Sequence, residues 1–529
     1  MRNLLFLTVL CLLGVVLYFT DLGKMALTDP DETFYAQTAK EMYNADEWVT
    51  PRIFGKPQFE KPVLYYWLVM TSYKMFGVNE FAARFPSALF GVIGVVGMYF
   101  LGRLLFTPLC GFFSALTLAT CVQYAILSRA CVTDMVLAVF VLLSLLFFLT
   151  SLSKGGRAGY IMASVMASLA VLTKGPIGLF IPGLVIIIYL SVSRQWGRIK
   201  KVPVFWCVLA FLAVSLPWYI AVTRIHGGTF IGEFFGFQNV TRFMKPEHRI
   251  GTSPLFYLPV IIGGFFPWSV FLPVGIWDIY RKRGGGSGVK AHGAFLLIWF
   301  LVVFVFFSVS RTKLVTYIFP LFPVMAIVAG RVWERFVSPD GGDNRLVKYM
   351  RASYTVLAVF VFAMLAGLYF FVKYEYPEAG KATLIAGGVF TGVFILSALM
   401  FSKDMRSRSF YTVALAVLLL SFPVVRYVLP VIEVSESSKA ACLKVRELAA
   451  PHEAVAGESD NRRGVAFYTD RVDIPDIQNH QAQLDFFSRK DRVWGIIKRK
   501  HYDVLKKERP DLVEPVFRAG GKVVITNKI

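Results

Sequence analysis

The sequence contains few residues of the kinds that build disulfide frameworks or metal centres. Its 529 residues include six cysteines and six histidines, and no two cysteines form a CxxC pair. This spacing predicts neither a disulfide framework nor a cysteine-based metal site. The sequence has no HExxH pattern, and no GK[ST] follows the glycine run at 284–288, so that run is a linker and not a phosphate-binding loop.

Charged side chains are also scarce. They make up 17% of the residues, whereas hydrophobic residues make up 56%. Apolar runs of roughly 17–25 residues recur along the chain and match the thickness of a bilayer. The composition therefore predicts a polytopic membrane protein. Because the distribution of charge in such a protein matters more than its sum, the net charge of +22 does not indicate nucleic-acid binding, and we expect no nucleic-acid partner.

We predict about 13 membrane-spanning helices within residues 1–430. The first has no A-x-A cleavage pattern, so we interpret it as an uncleaved helix. The predicted spans lie near 4–20, 84–106, 110–128, 135–151, 159–173, 176–193, 203–222, 254–277, 293–309, 314–331, 352–372, 382–401 and 410–429.

Basic residues cluster in the loops that follow the even-numbered spans, which the positive-inside rule places in the cytoplasm. Segments 21–83, 223–253 and 431–529 are therefore expected on the outer side. The positive-inside rule disfavours basic residues on the outer side, so the basic residues that do occur there indicate, as a group, a phosphate-binding site. Contact with lipid headgroups is the alternative for each of them. They are Lys61, Arg84, Arg129, Lys174, Arg242, Lys245, Arg249, Arg311 and Lys313.

A polar segment at 29–62 interrupts the apolar pattern. It opens with Asp29, Asp31 and Glu32 and closes on the sequence FEKP at 59–62. Carboxylates at the mouth of a membrane bundle are costly unless they are solvated, paired or functional. We interpret the segment as part of a functional site, and an ordinary solvated loop is the alternative.

The composition becomes more polar after about residue 430. Short β-like runs occur at 465–468 and 521–526, and helix-like stretches occur at 439–449 and 481–488. Residues 431–529 are therefore predicted to form a small α/β domain on the outer face. We expect this domain to have a structural role or to form a lid over the acceptor entrance.

Ordered motifs resemble the bacterial lipid A aminoarabinose transferases. That family belongs with the protein O-mannosyltransferases among the integral-membrane (GT-C) glycosyltransferases. The likeness begins with DETFYA at 31–36 and FEKP at 59–62 and covers most of residues 1–330. It continues through Thr133-Asp134, Leu172-Thr173-Lys174-Gly175, Leu216-Pro217-Trp218, Arg242-Phe243, His248-Arg249, Phe256-Tyr257, Pro267-Trp268 and the segment 306–317. The expected fold is thus an all-α, GT-C-like membrane domain with a small C-terminal α/β periplasmic domain.

The resemblance implies a polyprenyl-phosphate sugar donor, usually undecaprenyl, and an acceptor at the periplasmic face of the bacterial inner membrane. A lipid-linked donor enters sideways among the membrane lipids, and its phosphate needs cations at the interface. Lipid A is the first candidate acceptor, and a protein, as in O-mannosyltransferases, or a cell-surface glycan is the alternative. A polyprenyl-lipid flippase is the alternative from another class, although the sequence shows no duplicated halves.

Two carboxylates are predicted to be catalytic. Asp31 is the candidate that activates the acceptor oxygen, and Asp134 is expected to orient the acceptor or stabilise positive charge at the anomeric carbon. The alternative for both is a helix N-cap, Asp31 for a helix over 33–43 and Asp134 together with Thr133.

The donor phosphate is expected to bind fixed cations, which stabilise a departing phosphodiester. The predicted phosphate-binding residues are Lys61, Arg242, Arg249, Lys313 and Tyr317, and Glu32 and Lys174 complete the predicted site.

Glu60 matches a position that helps hold a metal in the aminoarabinose transferases. The histidine that would be its partner there is replaced by Asn239, and asparagine is a poor zinc ligand. Two alternatives therefore remain. Glu60 could bind a divalent metal with His248 as a substitute ligand, or His248 is an ordinary loop histidine and no metal binds. The same replacement leaves the sugar undecided.

Overall fold

The computed structural model describes residues 1–197, 202–241, 253, 255–281, 287–338, 344–375 and 380–527. The first part of the chain is helical. Its helices are α1 (Arg2–Phe19), α2 (Asp31–Asn44), α3 (Leu64–Phe76), α4 (Glu80–Leu105), α5 (Pro108–Ala119), α6 (Val122–Ser128), α7 (Thr133–Lys154), α8 (Ala158–Lys174), α9 (Ile177–Val192), α10 (Val204–Phe230), α11 (Tyr257–Gly264), α12 (Leu272–Arg281), α13 (Ser287–Val309), α14 (Phe322–Val337), α15 (Asn344–Glu375), α16 (Gly380–Ser402), α17 (Arg406–Pro423) and α18 (Leu429–Glu436).

Each of the 13 predicted spans overlaps a helix, but the span predicted at 314–331 does so only in its later part, because 314–318 are not helical. Within the described ranges, α1, α4, α7, α10, α13, α15, α16 and α17 are long and apolar enough to cross a membrane. Two further candidates are bent pairs: α5 and α6 meet at 68°, and α11 and the helical segment Trp268–Arg281 meet at 106°. The apolar helices α8 and α9 are shorter, and α14, which overlaps the span predicted at 314–331, has only 16 residues. Length and composition alone thus support eight to ten spans.

Small residues bring α4, α5 and α14 into close contact. A Cβ atom added at Gly102 of α4 would lie 2.7 Å from the Cα of Gly111 on α5. A Cβ atom at Gly330 of α14 would lie 2.5 Å from the backbone nitrogen of Ser114, also on α5. Glycine at these positions lets the backbones approach as they do in many membrane bundles.

The outer segment that follows α1 contains α2, a short antiparallel hairpin and α3. The hairpin pairs β1 (Arg52–Ile53) with β2 (Lys56–Pro57). The helix predicted over 33–43 is confirmed as α2. Its residues from Glu32 to Met42 are all buried, because α2 packs against α3 and β1 of the outer segment and against α20 of the C-terminal part of the chain.

The C-terminal part forms a four-stranded sheet in the order β3 (Ala454–Gly457), β4 (Val493–Lys498), β6 (Lys522–Thr526), β5 (Glu514–Ala519). Strands β3 and β4 are parallel and the other pairs are antiparallel. The helices of this part are α19 (Lys439–Leu448), α20 (Arg462–Thr469), α21 (His480–Phe487) and α22 (Arg499–Glu508). The predicted α/β domain is confirmed, although its proposed first residue, 431, falls inside α18.

The β-like interpretation of 465–468 is wrong, because these residues lie in α20. All four are buried, since α20 has α2 on one side and β3 and α19 on others. A short segment buried all round has a continuous apolar sequence, which periodicity cannot assign to a helix or a strand. The predicted helices at 439–449 and 481–488 and the strand at 521–526 are confirmed.

Candidate active site

An open cavity with about 800 Å³ of empty space lies where the N-terminus of α7 and the C-terminus of α8 meet the FEKP segment and the loop after α13. Five residues predicted for the site line it together: Glu60, Lys61, Asp134, Lys174 and Tyr317. The other lining residues are Leu137, Ile177, Phe234, Gln238, Phe306, Phe307, Ser310, Thr312 and Pro320. The cavity therefore combines both signs of charge with aromatic walls.

Asp134 is held by an ion pair inside the cavity. It is the second residue of α7, and its Oδ1 atom accepts a bond of 2.7 Å from Lys174 Nζ at the end of α8. The same ammonium lies 5.0 Å from the centroid of the Tyr317 ring. The N-cap of α7 is Val132, without a side-chain cap, so the alternative of a capping pair at Thr133 and Asp134 is not what the structure contains.

Two further lysines lie at this site. Lys61 Nζ donates to the carbonyl oxygen of Glu60 at 3.0 Å, and the buried Lys313 donates to the carbonyl oxygen of Ser310 at 2.6 Å. Ser310 lines the cavity, and Lys313 is not among the lining residues. A neutral carbonyl orients an ammonium group without neutralising its charge, so these bonds place positive charge beside the cavity.

Asp31 is exposed and is the first residue of α2. The N-cap of α2 is Pro30 without a side-chain cap, so Asp31 does not cap this helix. One turn later, burial raises the pKa of Tyr35 well above its ordinary value, and nearby Tyr66, Asp134 and Glu60 raise it further. Tyr35 thus lies close to the carboxylates of the cavity. Residues four apart share a helix face, so Asp31 extends that face toward solvent, although it is not among the lining residues.

Glu32 lies in a buried network and does not line the cavity. It accepts bonds from Arg84 at 2.6 and 2.8 Å and from the backbone nitrogens of Thr28 and Cys131. Burial by itself would raise the pKa of Glu32, but the charge and hydrogen bonds of Arg84 hold it below its ordinary value. Arg84 also donates to the carbonyls of Leu22, Met25 and Ala26. The interpretation of Arg84 as a phosphate or headgroup contact is therefore wrong, because its donors are used inside the protein.

Several predicted residues lie outside the described ranges, namely Arg242, Lys245, His248 and Arg249. Their placement at the donor phosphate stays a prediction. In the described part of the chain, no three His, Cys, Asp or Glu side chains cluster as a metal site would require. The charged group found beside Glu60 is itself a cation, Arg463, whose Nη2 lies 3.9 Å from Glu60 Oε1. The described surroundings of Glu60 therefore fit a divalent metal poorly.

An apolar groove adjoins the cavity and was not predicted. It has about 1260 Å³ of empty space and follows α8, α9 and α10. The ring of Phe180 in the groove contacts the ring of Phe306 in the cavity, with centroids 4.8 Å apart and the planes tilted by 44°. Phe234 lines the cavity, and its neighbour Phe235 lines the groove. The groove residues are Val171, Pro176, Leu179, Phe180, Phe211, Leu212, Ser215, Leu216, Tyr219, Thr223, Ile231 and Phe235. No sequence signal separates them from ordinary lipid-facing residues.

Asp29 was also not assigned a role, and it joins the outer segment to the C-terminal domain. Its Oδ2 atom accepts bonds from the backbone nitrogen and hydroxyl of Ser438 at 3.1 and 2.7 Å, and Lys522 Nζ lies 3.7 Å away. Thr33 donates to Oδ1 at 3.0 Å. Burial raises the pKa of Asp29 to about 6, against the lowering effects of Lys522 and Ser438.

This raised pKa predicts a pH-dependent stability. Between pH 4 and 6 the folded state keeps a proton on Asp29 that the unfolded chain has lost, so this stabilisation is present at low pH and disappears as the pH rises through about 6. The shift of the pKa from 3.8 to about 6 corresponds to about 3 kcal/mol in the free energy of unfolding. We expect the melting temperature of the wild type, relative to Asp29→Asn, to fall between pH 4 and 7. The control is Asp46→Asn at an exposed position, whose melting temperature should show no such trend relative to the wild type. If the melting temperatures of the wild type and Asp29→Asn changed in parallel with pH, the raised pKa of Asp29 would be contradicted.

Known proteins resemble this chain both in sequence and in fold. The family model described as dolichyl-phosphate-mannose-protein mannosyltransferase matches residues 60–220. ArnT from Cupriavidus metallidurans, solved bound to undecaprenyl phosphate, superimposes with a TM-score of 0.83 at 24% identity, over 99% of this chain and 98% of that one. The chain has the GT-C fold. The archaeal oligosaccharyltransferase from Archaeoglobus fulgidus shares it more distantly, with a TM-score of 0.52 at 14% identity over 96% of this chain and 68% of that one.

Curated relatives confirm the predicted resemblance of this GT-C protein to the aminoarabinose transferases and O-mannosyltransferases. The undecaprenyl phosphate-α-4-amino-4-deoxy-L-arabinose arabinosyl transferase of Edwardsiella ictaluri is 29% identical over 64% of this chain and 61% of its own length. The enzyme of the same name from Pseudomonas aeruginosa is 32% identical over 59% of this chain and 57% of its own length. The chain thus spans about three fifths of the length of the curated relatives that it matches.

Proposed function

We propose that this chain is an integral-membrane glycosyltransferase that moves a sugar from a polyprenyl phosphate to an acceptor at the outer face of the bacterial inner membrane. The observation that carries the proposal is that a charged cavity and an apolar groove lie side by side. A sugar linked to a lipid through phosphate requires both environments. An isoprenoid tail needs an apolar path within the membrane, while its phosphate needs cations at the interface.

The groove supports a lipid donor in particular. A nucleotide sugar is polar throughout and would not use a groove lined almost entirely by aliphatic and aromatic side chains. Phe180 of the groove and Phe306 of the cavity are in contact, so the two spaces are neighbours. A polyprenyl tail in the groove would therefore bring its phosphate to the entrance, near Lys61, Lys174 and Tyr317.

The reaction assigned to the site is a direct displacement. Asp31 would accept the proton of the acceptor hydroxyl, whose oxygen forms a bond to the anomeric carbon as the bond from that carbon to the phosphate oxygen breaks. Lys61 and Lys174 would stabilise the negative charge of the departing polyprenyl phosphate. Asp134, fixed by Lys174, would stabilise the positive charge that develops at the anomeric carbon.

For the substrates, we propose 4-amino-4-deoxy-L-arabinose as the sugar and lipid A as the acceptor. The names of the curated relatives support this sugar, and lipid A is the acceptor that the resemblance to the aminoarabinose transferases implies. The mannosyltransferase model over residues 60–220 supports a second candidate, transfer of a hexose to protein. Both candidates share the donor phosphate, so a donor assay tests them together and an acceptor assay separates them.

The donor assay measures release of polyprenyl phosphate by the purified protein from polyprenyl-phosphate sugars with acceptor present. Lys61→Ala should raise the KM for the donor about 10- to 100-fold, because it removes a charged contact worth about 1.5–3 kcal/mol. Lys56→Ala is the matched control, since Lys56 is exposed on the neighbouring hairpin. Turnover of a nucleotide sugar without a lipid carrier would contradict a lipid donor, and movement of intact donor across vesicles without sugar transfer would favour a flippase.

A further inference from the structure

The C-terminal domain reaches the candidate active site through one side chain. Arg463, on the first turn of α20, lies over the ring of Phe34 with its guanidinium carbon 4.7 Å from the centroid. The same guanidinium is 3.9 Å from Glu60, which lines the cavity. Phe34 belongs to α2, one turn after the predicted base Asp31. Arg463 therefore connects the C-terminal domain to α2 and to the FEKP residues at 59–62.

Helix α20 is held firmly at this place. Lys40 of α2 donates to the carbonyl oxygen of Phe467 at 2.7 Å, and Tyr468 accepts a bond of 2.8 Å from the backbone nitrogen of Leu27. Gly464 lies so close to the outer segment that an added Cβ atom would be 2.3 Å from Asp29 Oδ1. These contacts fix the position from which the Arg463 side chain extends.

The two adjacent arginines of α20 have different surroundings. Arg462 stacks on Phe54 of the outer hairpin at 3.8 Å and donates to the carbonyl oxygen of Ile474 within its own domain. Arg463 instead contacts a carboxylate at the cavity, with 29% of its side chain exposed and 37% of that of Glu60. Arg462 thus contributes to domain packing, whereas the exposed ion pair of Arg463 adds little stability by itself.

We propose that Arg463 is a positioning residue that neutralises and orients Glu60 and so supplies, from the C-terminal domain, the positive charge for which related enzymes would use a metal. Stacking on Phe34 restricts the guanidinium, and its positive charge, 3.9 Å from the carboxylate, acts on Glu60 as an ion pair. A cation already beside Glu60 also opposes the binding of a divalent ion there. The proposal rests on the proposed function and makes the C-terminal domain a component of the site.

The test compares sugar transfer from a polyprenyl-phosphate donor by the full-length wild type and the variants Arg463→Gln, Arg463→Lys, Glu60→Gln and Arg463→Gln/Glu60→Gln. We expect Arg463→Gln to lower kcat/KM about 10- to 100-fold, with partial recovery in Arg463→Lys. The double variant should be no worse than Glu60→Gln, because both changes remove one interaction. Arg462→Gln is the matched control and should lower the melting temperature while kcat/KM stays at the wild-type value.

Three results would overturn the proposal. The first is wild-type kcat/KM in Arg463→Gln, and the second is losses that multiply in the double variant. The third is one zinc ion per purified chain, measured by mass spectrometry of the metal content, that is lost in Glu60→Gln. The zinc measurement does not require turnover, so it decides the proposal even if no polyprenyl-phosphate sugar is used. Absence of transfer by the wild type from every such donor would instead contradict the proposed function.

Discussion

Replacing Asp31 with asparagine should abolish detectable sugar transfer while the protein still accumulates in the membrane. Asparagine has nearly the same shape but cannot accept a proton from the acceptor hydroxyl, and loss of general-base catalysis costs about 10²–10⁴ in rate. Asp31 is exposed and makes no side-chain cap to α2, so the change should leave folding intact. The measurement is transfer to the acceptor in membranes, normalised to the amount of protein and to its melting temperature.

The control for this experiment lies beyond the other end of the same helix. Asp46 is exposed and accepts a hydrogen bond from the indole of Trp48, away from the cavity. Asp46→Asn should transfer sugar at the wild-type rate. If Asp31→Asn did so too, Asp31 would not be the base, and Asp134, the carboxylate held by Lys174 in the cavity, would become the next candidate.

The largest effect on stability is expected for Glu32→Ala. Glu32 and Arg84 are each about 5% exposed, and removing one partner leaves an uncompensated buried charge. Breaking a buried pair in this way costs about 3–5 kcal/mol. We therefore expect Glu32→Ala to accumulate poorly and to unfold well below the wild type in a thermal assay in detergent. Because Arg84 holds the pKa of Glu32 below its ordinary value, acidification through that lowered pKa should weaken the wild-type pair as well.

An exposed ion pair provides the comparison. Asp404 accepts a bond of 2.6 Å from Arg406, and 75% of its side chain is exposed. Asp404→Ala should change stability by less than about 1 kcal/mol, because solvent screens such pairs. Equal effects of Glu32→Ala and Asp404→Ala would show that the Glu32 network is not a structural centre and would reopen a functional role for Glu32.

The structure brings only some of the predicted site residues together in one cavity. Glu60, Lys61, Asp134, Lys174 and Tyr317 do line one cavity, because their motifs fall at helix ends that the positive-inside rule places on one side of the membrane. Asp31 and Glu32, in contrast, belong to one motif but lie in different surroundings. Asp31 is exposed to solvent, and Glu32 lies in a buried network. Neighbouring residues at a helix start point in different directions, and a short motif does not specify which direction faces the cavity.

The class of the protein, the positions of most of its apolar helices and the superfamily that it resembles could all be inferred from the amino-acid sequence, which also predicts the side of the membrane on which the site lies. Hydropathy and loop charge are local properties, and a bilayer converts them directly into helices and an orientation. Only the tertiary structure decided which charges pair. The contact of Asp29 with Ser438 spans 409 residues, and that of Arg463 with Glu60 joins two parts of the chain with no shared sequence pattern. Such contacts depend on how separate elements pack, so no local pattern contains them.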